Sequence, residues 1–169
     1  MTELLIDRVD SPLGEVTVIS DGSKLVAVDF DGYEERMNAL LAKRGSDDSF
    51  VERDDPQGFS SALRAYFDGR LDAIEALPAD PAGTPFQREV WTMLREIPTG
   101  ATWSYGELAG RVGRPAASRA VGAANGLNPV AIVIPCHRVI GANGSLTGYG
   151  GGLERKRWLL AHEGALLDV

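Results

Sequence analysis

The period of apolar and polar positions changes several times along this chain, and each change predicts an element. Leu4–Val9 is apolar-rich and ends at the turn signal Ser11-Pro12-Leu13-Gly14, after which Glu15–Ser20 alternates, with Val16 and Val18 on one side. Asp21-Gly22-Ser23 reads as a hairpin turn into Leu25–Phe30, where Leu25, Ala27 and Asp29 oppose Val26, Val28 and Phe30. Helical spacing takes over at Tyr33, Met37, Leu40 and Leu41, with Gly45 placed to end that helix in a left-handed conformation. Gly45–Pro56 is polar and acidic and reads as an exposed connection. Phe59, Leu63, Tyr66 and Phe67 mark a second amphipathic helix running to Gly69. Leu77–Gly83 packs two prolines and a glycine between periodic segments and reads as a linker. A boundary near residue 83 gives two domains, 1–83 and 84–169.

Beyond that boundary the helix signals are stronger. Thr84 is an N-cap with Pro85 at the first helical position and Gln87 completing a capping box, and Phe86, Val90, Leu94 and Ile97 form one stripe before Pro98 stops the helix. Ser104 with Glu107 predicts a second capping box and a short helix, Tyr105–Val112, followed by the turn Gly113-Arg114-Pro115. Pro115 then suits the first position of a third helix running from Ala116 to about Gly126, so a helix-turn-helix is expected. Nearly every side chain of this third helix is small, and Arg119 is its only charge. Small residues suit close approach to another helix, with Arg119 solvated. They equally suit a nucleic-acid surface, where the lack of polar base-reading side chains favours the minor groove over the major.

Composition at first argues against nucleic acid. The 169 residues are 44% hydrophobic and 24% charged, an ordinary globular content, but the net charge is −7. The charge is unevenly divided: residues 1–83 hold 8 Lys/Arg against 18 Asp/Glu, and residues 84–169 hold 9 against 6. The second half is therefore net basic, as a polyanion-binding half should be. No stretch is long and apolar enough to span a bilayer. The start, MTELLIDRVDS, lacks a basic segment followed by an apolar one, so a cytoplasmic protein is expected. The single cysteine, Cys136, excludes an intrachain disulfide, a cysteine-rich zinc site and a redox pair.

That cysteine lies in the segment with the richest chemistry. The apolar run Val130–Ile134 and Pro135 deliver it, His137 and Arg138 follow, and Asn128 stands upstream. A cysteine thiol with its ordinary value near 8.5 is only slightly ionised at neutral pH. His137 or Arg138 can favour the thiolate if their side chains turn toward it, and a bridging water serves as well as direct contact. Gly141–Gly152 is glycine-rich with Tyr149 its only aromatic residue, and reads either as a plain surface loop or as a close-approach wall on which a ligand stacks. A final helix, Leu153–Glu163, starts with Arg155, Lys156 and Arg157 among its first residues. Glu163 is either a solvated helix-end carboxylate or the third group that orients His137.

With these residues in view, the chain resembles the O6-alkylguanine-DNA alkyltransferases, the methylated-DNA–protein-cysteine methyltransferases. The resemblance runs from about Thr84 to Leu167 and rests on SYGELA (Ser104–Ala109), SRAVGAANG (Ser118–Gly126), NPV (Asn128–Val130), IPCHRVIG (Ile134–Gly141), GYGGG (Gly148–Gly152) and KRWLLAHEG (Lys156–Gly164). In the first 83 residues it rests only on length and the order of β before α. It implies an α+β chain, with a ribonuclease H-like N-terminal sheet-and-helix domain followed by a mainly helical, winged-helix-like alkyltransferase domain.

The resemblance also implies roles. Cys136 is the nucleophile that takes an alkyl group from O6 of guanine, His137 deprotonates it through a water, Glu163 orients His137, and Asn128 braces the hinge between the recognition helix and the active-site strand. Tyr105 helps rotate the nucleotide and bonds the purine, and Arg119 fills the vacated stack. Tyr149 and Gly150 line the base pocket, the carbonyls near Cys136 and Val139 read the exocyclic amine, and Lys156 lies near the pocket. Double-stranded DNA is the expected partner, bound through the minor groove by a monomer, with cooperativity on DNA left open. Flipping follows from chemistry as well, since a thiolate cannot reach an atom inside the stack. A thioether on Cys136 has no second cysteine to pass its alkyl group to, so a single turnover without cofactor or metal is expected. Some relatives hold zinc through Cys and His in the first domain, where this chain has neither. Gly126 stands where some carry a basic residue. The rival readings are a lesion sensor without chemistry, against which Cys136 argues, a Cys-His hydrolase with turnover, and a helix-turn-helix regulator.

Overall fold

The computed structural model describes residues 3–44, 49–146 and 148–165. They form two compact units: residues 1–83 together with Pro129–Val133, and residues 84–128 together with 134–169.

The first unit is built on β1 (Leu4–Ser11), β2 (Gly14–Ser20) and β3 (Leu25–Phe30), joined as antiparallel neighbours, with α1 (Glu34–Ala42), β4 (Phe50–Glu52) and α2 (Phe59–Phe67) following. The predicted alternation sets the register: Val9 lies opposite Val16, Ile6 opposite Ile19, and Val18 opposite Val28. β3 is buried along its whole length, so both of its faces are shielded from water, with Asp29 its one charged residue. Met37 and Leu41 of α1 close a core cluster with Leu4, Ile19, Val26 and Ala27. Each such side chain contributes about 1.5–3 kcal/mol by leaving water. Gly45 lies outside the described residues, so the predicted end of α1 has no counterpart here.

Two expectations for this unit need correction. Part of the supposed exposed connection, Phe50–Glu52, pairs in parallel with β1 and makes the sheet order β3-β2-β1-β4. Three residues on a sheet edge carry no alternation to read. The supposed linker is also not free: Leu25 N donates to Pro78 O at 2.9 Å and Asp80 N to Leu25 O at 2.8 Å. Further along β3, Val28 N donates to Pro129 O and Ala131 N to Val28 O, both at 3.0 Å. These two short segments cover an edge that would otherwise present unpaired backbone.

The second unit runs α3 (Pro85–Leu94), β5 (Trp103–Ser104), α4 (Tyr105–Arg111), α5 (Ser118–Gly126), a single 3-10 turn at Cys136–Arg138, β6 (Val139–Ile140) and α6 (Leu153–His162), with β5 and β6 paired in parallel. The Thr84 capping box forms in both directions, Gln87 N to Thr84 Oγ1 at 3.1 Å and Thr84 N to Gln87 Oε1 at 2.9 Å. At Ser104 only half forms: Glu107 N donates to Ser104 Oγ at 3.0 Å, while the Glu107 carboxylate turns to Arg111 at 3.7 Å. Helix α5 starts later than expected. Ala117 N donates to Arg114 O at 2.9 Å, so Pro115 occupies the second position of a turn, which its fixed φ suits as well as a helix start. Trp91 Nε1 donates to Ala124 O at 2.8 Å and ties α3 to α5.

Candidate active site

The approach to Cys136 is turned rather than extended, contrary to the expected active-site strand. Ile132 has φ 72°, and Val133 N donates to Ala131 O at 2.8 Å across it, a γ-turn in the left-handed region that β-branched residues rarely enter. Such a conformation costs about 1–3 kcal/mol and persists because the fully buried Ile132 side chain is held by its packing. Pro135 centres a second tight turn (φ −84°, ψ 64°), with Cys136 N donating to Ile134 O at 2.8 Å. Asn128 Nδ2 donates to Ile134 O at 2.8 Å, joining the residues where the chain leaves and re-enters the second unit.

Behind Cys136 lies a buried charge network. His137 Nε2 and Glu163 Oε2 are 3.0 Å apart, with both side chains wholly buried. Arg138 does not turn toward the thiol. It grips the same carboxylate, Nε to Oε1 at 2.8 Å and Nη2 to Oε2 at 3.0 Å, and donates through Nη1 to Ile97 O at 2.8 Å and through Nη2 to Thr99 Oγ1 at 3.3 Å. Burial alone would raise the Glu163 carboxyl, but His137 and Arg138 outweigh it and hold the group well below the usual carboxylate range. An ionised Glu163 accepts only, so Nε2 of His137 carries the proton and Nδ1 keeps its lone pair. That Nδ1 is buried and has no hydrogen-bond partner among the described residues. Burial, reinforced by Arg138 and Lys156 and opposed by Glu163, holds His137 below its ordinary value. A neutral imidazole with an available nitrogen is the state a general base needs.

Lys156 is fully buried on α6, and its Nζ donates to Val139 O at 2.6 Å. Desolvation lowers it to about 8, and attraction to Cys136 opposes that fall. The attraction is mutual, so a cationic Lys156 stabilises negative charge on the sulfur. Lys156 therefore stands near the site as a buried counter-charge. Gly100 completes the surround: its φ is 87°, and a Cβ there would lie 3.1 Å from Glu163 O.

The remaining predicted residues lie farther out in the same unit. Tyr105 is half-buried at the start of α4, and the absent side chains at Gly122 and Gly148 leave room for its ring and hydroxyl, which would lie 3.4 Å and 3.6 Å from a Cβ at those positions. Arg119 is exposed near the start of α5, Tyr149 is half-buried and Gly150 exposed. Three contributors had no signal singled out in the sequence reading: Asn125, whose Nδ2 lies 3.4 Å from Cys136 O; Gly100; and Arg138 as the partner of Glu163 rather than of the thiol. Among the described residues no group of three or more His, Cys, Asp or Glu side chains gathers as metal ligands.

Residues 85–165 match the model of the 6-O-methylguanine DNA methyltransferase DNA binding domain, and residues 5–81 match that of the same proteins' ribonuclease-like domain. The chain belongs to the 6-O-methylguanine DNA methyltransferase family. Its relatives include the methylated-DNA–protein-cysteine methyltransferase of Shigella flexneri, 52% identical over 99% of both chains. A Mycobacterium tuberculosis OGT solved in complex with DNA is 42% identical, with a TM-score of 0.79 over 96% of this chain and 93% of that one. The O6-methylguanine-DNA methyltransferase of Pyrococcus kodakaraensis is 27% identical, with a TM-score of 0.75 over 95% and 99%. The family's two-part α+β plan, a ribonuclease-like sheet domain and a helical DNA-binding domain, is the plan found here. No helix of the described residues is long and apolar enough to cross a membrane.

Proposed function

We propose that this member of the family repairs alkylated DNA by moving the alkyl group from O6 of a damaged guanine to Sγ of Cys136, once per molecule. The observation that carries this reading is the buried Glu163–His137 hydrogen bond, which leaves His137 Nδ1 without a protein partner beside the chain's single cysteine. The Sγ proton passes through a water to Nδ1, and the imidazolium so formed is balanced by Glu163. The thiolate attacks the alkyl carbon, the C–O6 bond breaks, and its electron pair stays on the purine, which takes up a proton to become guanine. The thioether has no acceptor to pass its alkyl group to, so the protein is spent. This chemistry needs no metal or organic cofactor.

Cys136 is buried, so the base must come to the thiol, and flipping is the way a stacked nucleotide does so. Exposed Arg119 on a helix of small residues fits a minor-groove surface and fills the space the base leaves. Tyr105 bonds the purine, and Tyr149 and Gly150 wall the pocket. The carbonyls near Cys136 and Val139 read the exocyclic amine of the base. Asn128 braces the turn before the nucleophile. The protein acts as a cytoplasmic monomer, and O4-alkylthymine falls within the same chemistry.

Intact-protein mass spectrometry after incubation with a duplex containing O6-methylguanine tests the reading. One methylene's mass is gained per molecule, and Cys136→Ser gains none. An unchanged mass of folded protein would sink the proposal, and continued turnover would favour a hydrolase.

A further inference from the structure

Two buried polar atoms of the second unit lack a partner among the described residues and flank the same residue. One is His137 Nδ1, on the residue after Cys136; the other is Oδ1 of Asn125. Asn125 is 2% exposed in the last turn of α5, and its Nδ2 donates to the Cys136 carbonyl at 3.4 Å. That bond decides which end of the amide is which and leaves Oδ1 as the open end. A buried acceptor left unsatisfied costs about 1–3 kcal/mol, so a residue kept in this state is matched to a donor that the protein itself does not supply.

We propose that Asn125 is a positioning residue: its Oδ1 is the second acceptor for the water that carries the Cys136 proton to His137. This rests on the function proposed above. A water has two hydrogens and two lone pairs. With one hydrogen on His137 Nδ1 and the other on Asn125 Oδ1, both hydrogens are committed, and only a lone pair is left to face the thiol. The S–H bond then breaks as an O–H bond forms on the water. The hydrogen already directed at Nδ1 moves to that nitrogen, and the electron pair stays on sulfur. Without Asn125 the water keeps a free hydrogen that can point at sulfur and occupy the thiol's place in the relay. The charged groups facing His137 during the transfer are Lys156 from α6, Glu163 just past its end, and Arg138 from its own turn.

The test measures the rate of alkyl transfer from free O6-methylguanine, which removes DNA docking from the comparison, between pH 6 and 10. Asn125→Leu keeps the volume and removes the acceptor. It is expected to react about tenfold more slowly at neutral pH. Its rate profile should move up by about one pH unit, so that the deficit closes where the thiolate forms without a relay. Asn125→Ser, which restores an oxygen acceptor, should recover most of the rate. A deficit of the same size at every pH means that Asn125 only supports the Cys136 backbone, and overturns the proposal. So does a Leu variant with the wild-type profile. If Asn125→Leu does not fold, Asn125→Ala is judged by the same criterion of closure at high pH. Failure of the functional reading looks different, because the wild-type protein would then acquire no alkyl group at any pH.

Discussion

Each unit buries an arginine–carboxylate pair, and the two pairs are finished differently. In the first, Asp29 accepts from Phe30 N at 2.8 Å and from both Arg36 Nε and Nη2, at 3.1 Å and 2.5 Å, while Arg36 also lies 4.8 Å from the Tyr33 ring centre. Both carboxylate oxygens are used and the arginine reaches solvent. In the second, Glu163 holds Arg138 and His137 at once, and the network stops at an open nitrogen. A closed pair leaves no group open for chemistry. An open one spends stability to keep a proton acceptor buried and aimed, which is where departures from full polar satisfaction are expected.

Removing the carboxylate from each pair gives the largest contrast. Glu163→Ala strands Arg138 in the interior and frees His137, so unfolding in urea should show a loss of about 3–5 kcal/mol. The transfer rate from free base should fall by about 10²–10⁴ through loss of an oriented base. Asp29→Ala leaves an arginine that can turn to water, and should cost about 1–2 kcal/mol with the transfer rate unchanged. Comparable rate losses in the two variants would erase the distinction.

Acid should separate the units in a second way. His137 is held below its ordinary 6.5, so below that value the unfolded chain binds the proton more readily and stability falls with pH. Glu163 is depressed too, so its contribution is present above about 4.5 and is lost as pH falls from there. The two have the same sign, each up to about 1.4 kcal/mol per pH unit. In the first unit burial pushes Asp7 up, but Ser60 and the N–H groups of Asp55 and Arg8 more than offset it, so its contribution fades only below about 3.8. Hydrogen-exchange protection factors, corrected for the intrinsic rate at each pH, should therefore drop at pH 5 around Cys136–Val139 and α6 while those of β1–β3 hold. The reverse order would contradict the assignment of the open network. Lys156 adds an alkaline limb of the same sign. Its folded value of about 8 lies below the ordinary 10.5, so burying it costs stability at neutral pH, and that cost is relieved as pH rises between the two. The gain of Lys156→Met over wild type should shrink by about 2–3 kcal/mol across that window.

The same contrast explains what could be read from residues in order. Strand alternation at Val16 and Val18 and the Thr84–Gln87 capping box are local signals, and the structure realises both. The Cys136-His137-Arg138 cluster was visible because polar groups rarely stand beside an inert thiol. Its wiring was not, because Arg138 meets Glu163 across 25 residues and Ile97 across 41, and no local period encodes such a meeting. Asn125 reads as one more polar residue on a smooth helix until the fold brings Cys136 O to it. Strand β4 and the Pro78–Asp80 pairing likewise exist only because β1 and β3 offer them an edge. Val130–Ile134 has a strand's composition, yet tertiary burial of Ile132 forces a turn that its propensity opposes.

The smallest predicted effect asks whether a closed network tolerates damage. Asp7 Oδ2 accepts from the fully buried Ser60 Oγ at 2.5 Å and from Asp55 N at 2.9 Å, and Asp7 Oδ1 accepts from Arg8 N at 2.8 Å. Ser60→Ala removes one donor of three and adds no buried charge, because the other two remain on the carboxylate. The loss should be about 1 kcal/mol in urea unfolding, with no change in alkyl transfer. Asn125→Leu also deletes one neutral polar side chain, but from the open network, and there the rate should respond more than the stability. Ser60→Ala changing the rate as much as Asn125→Leu would mean that the difference between the two units lies in packing rather than in the proton acceptor left open.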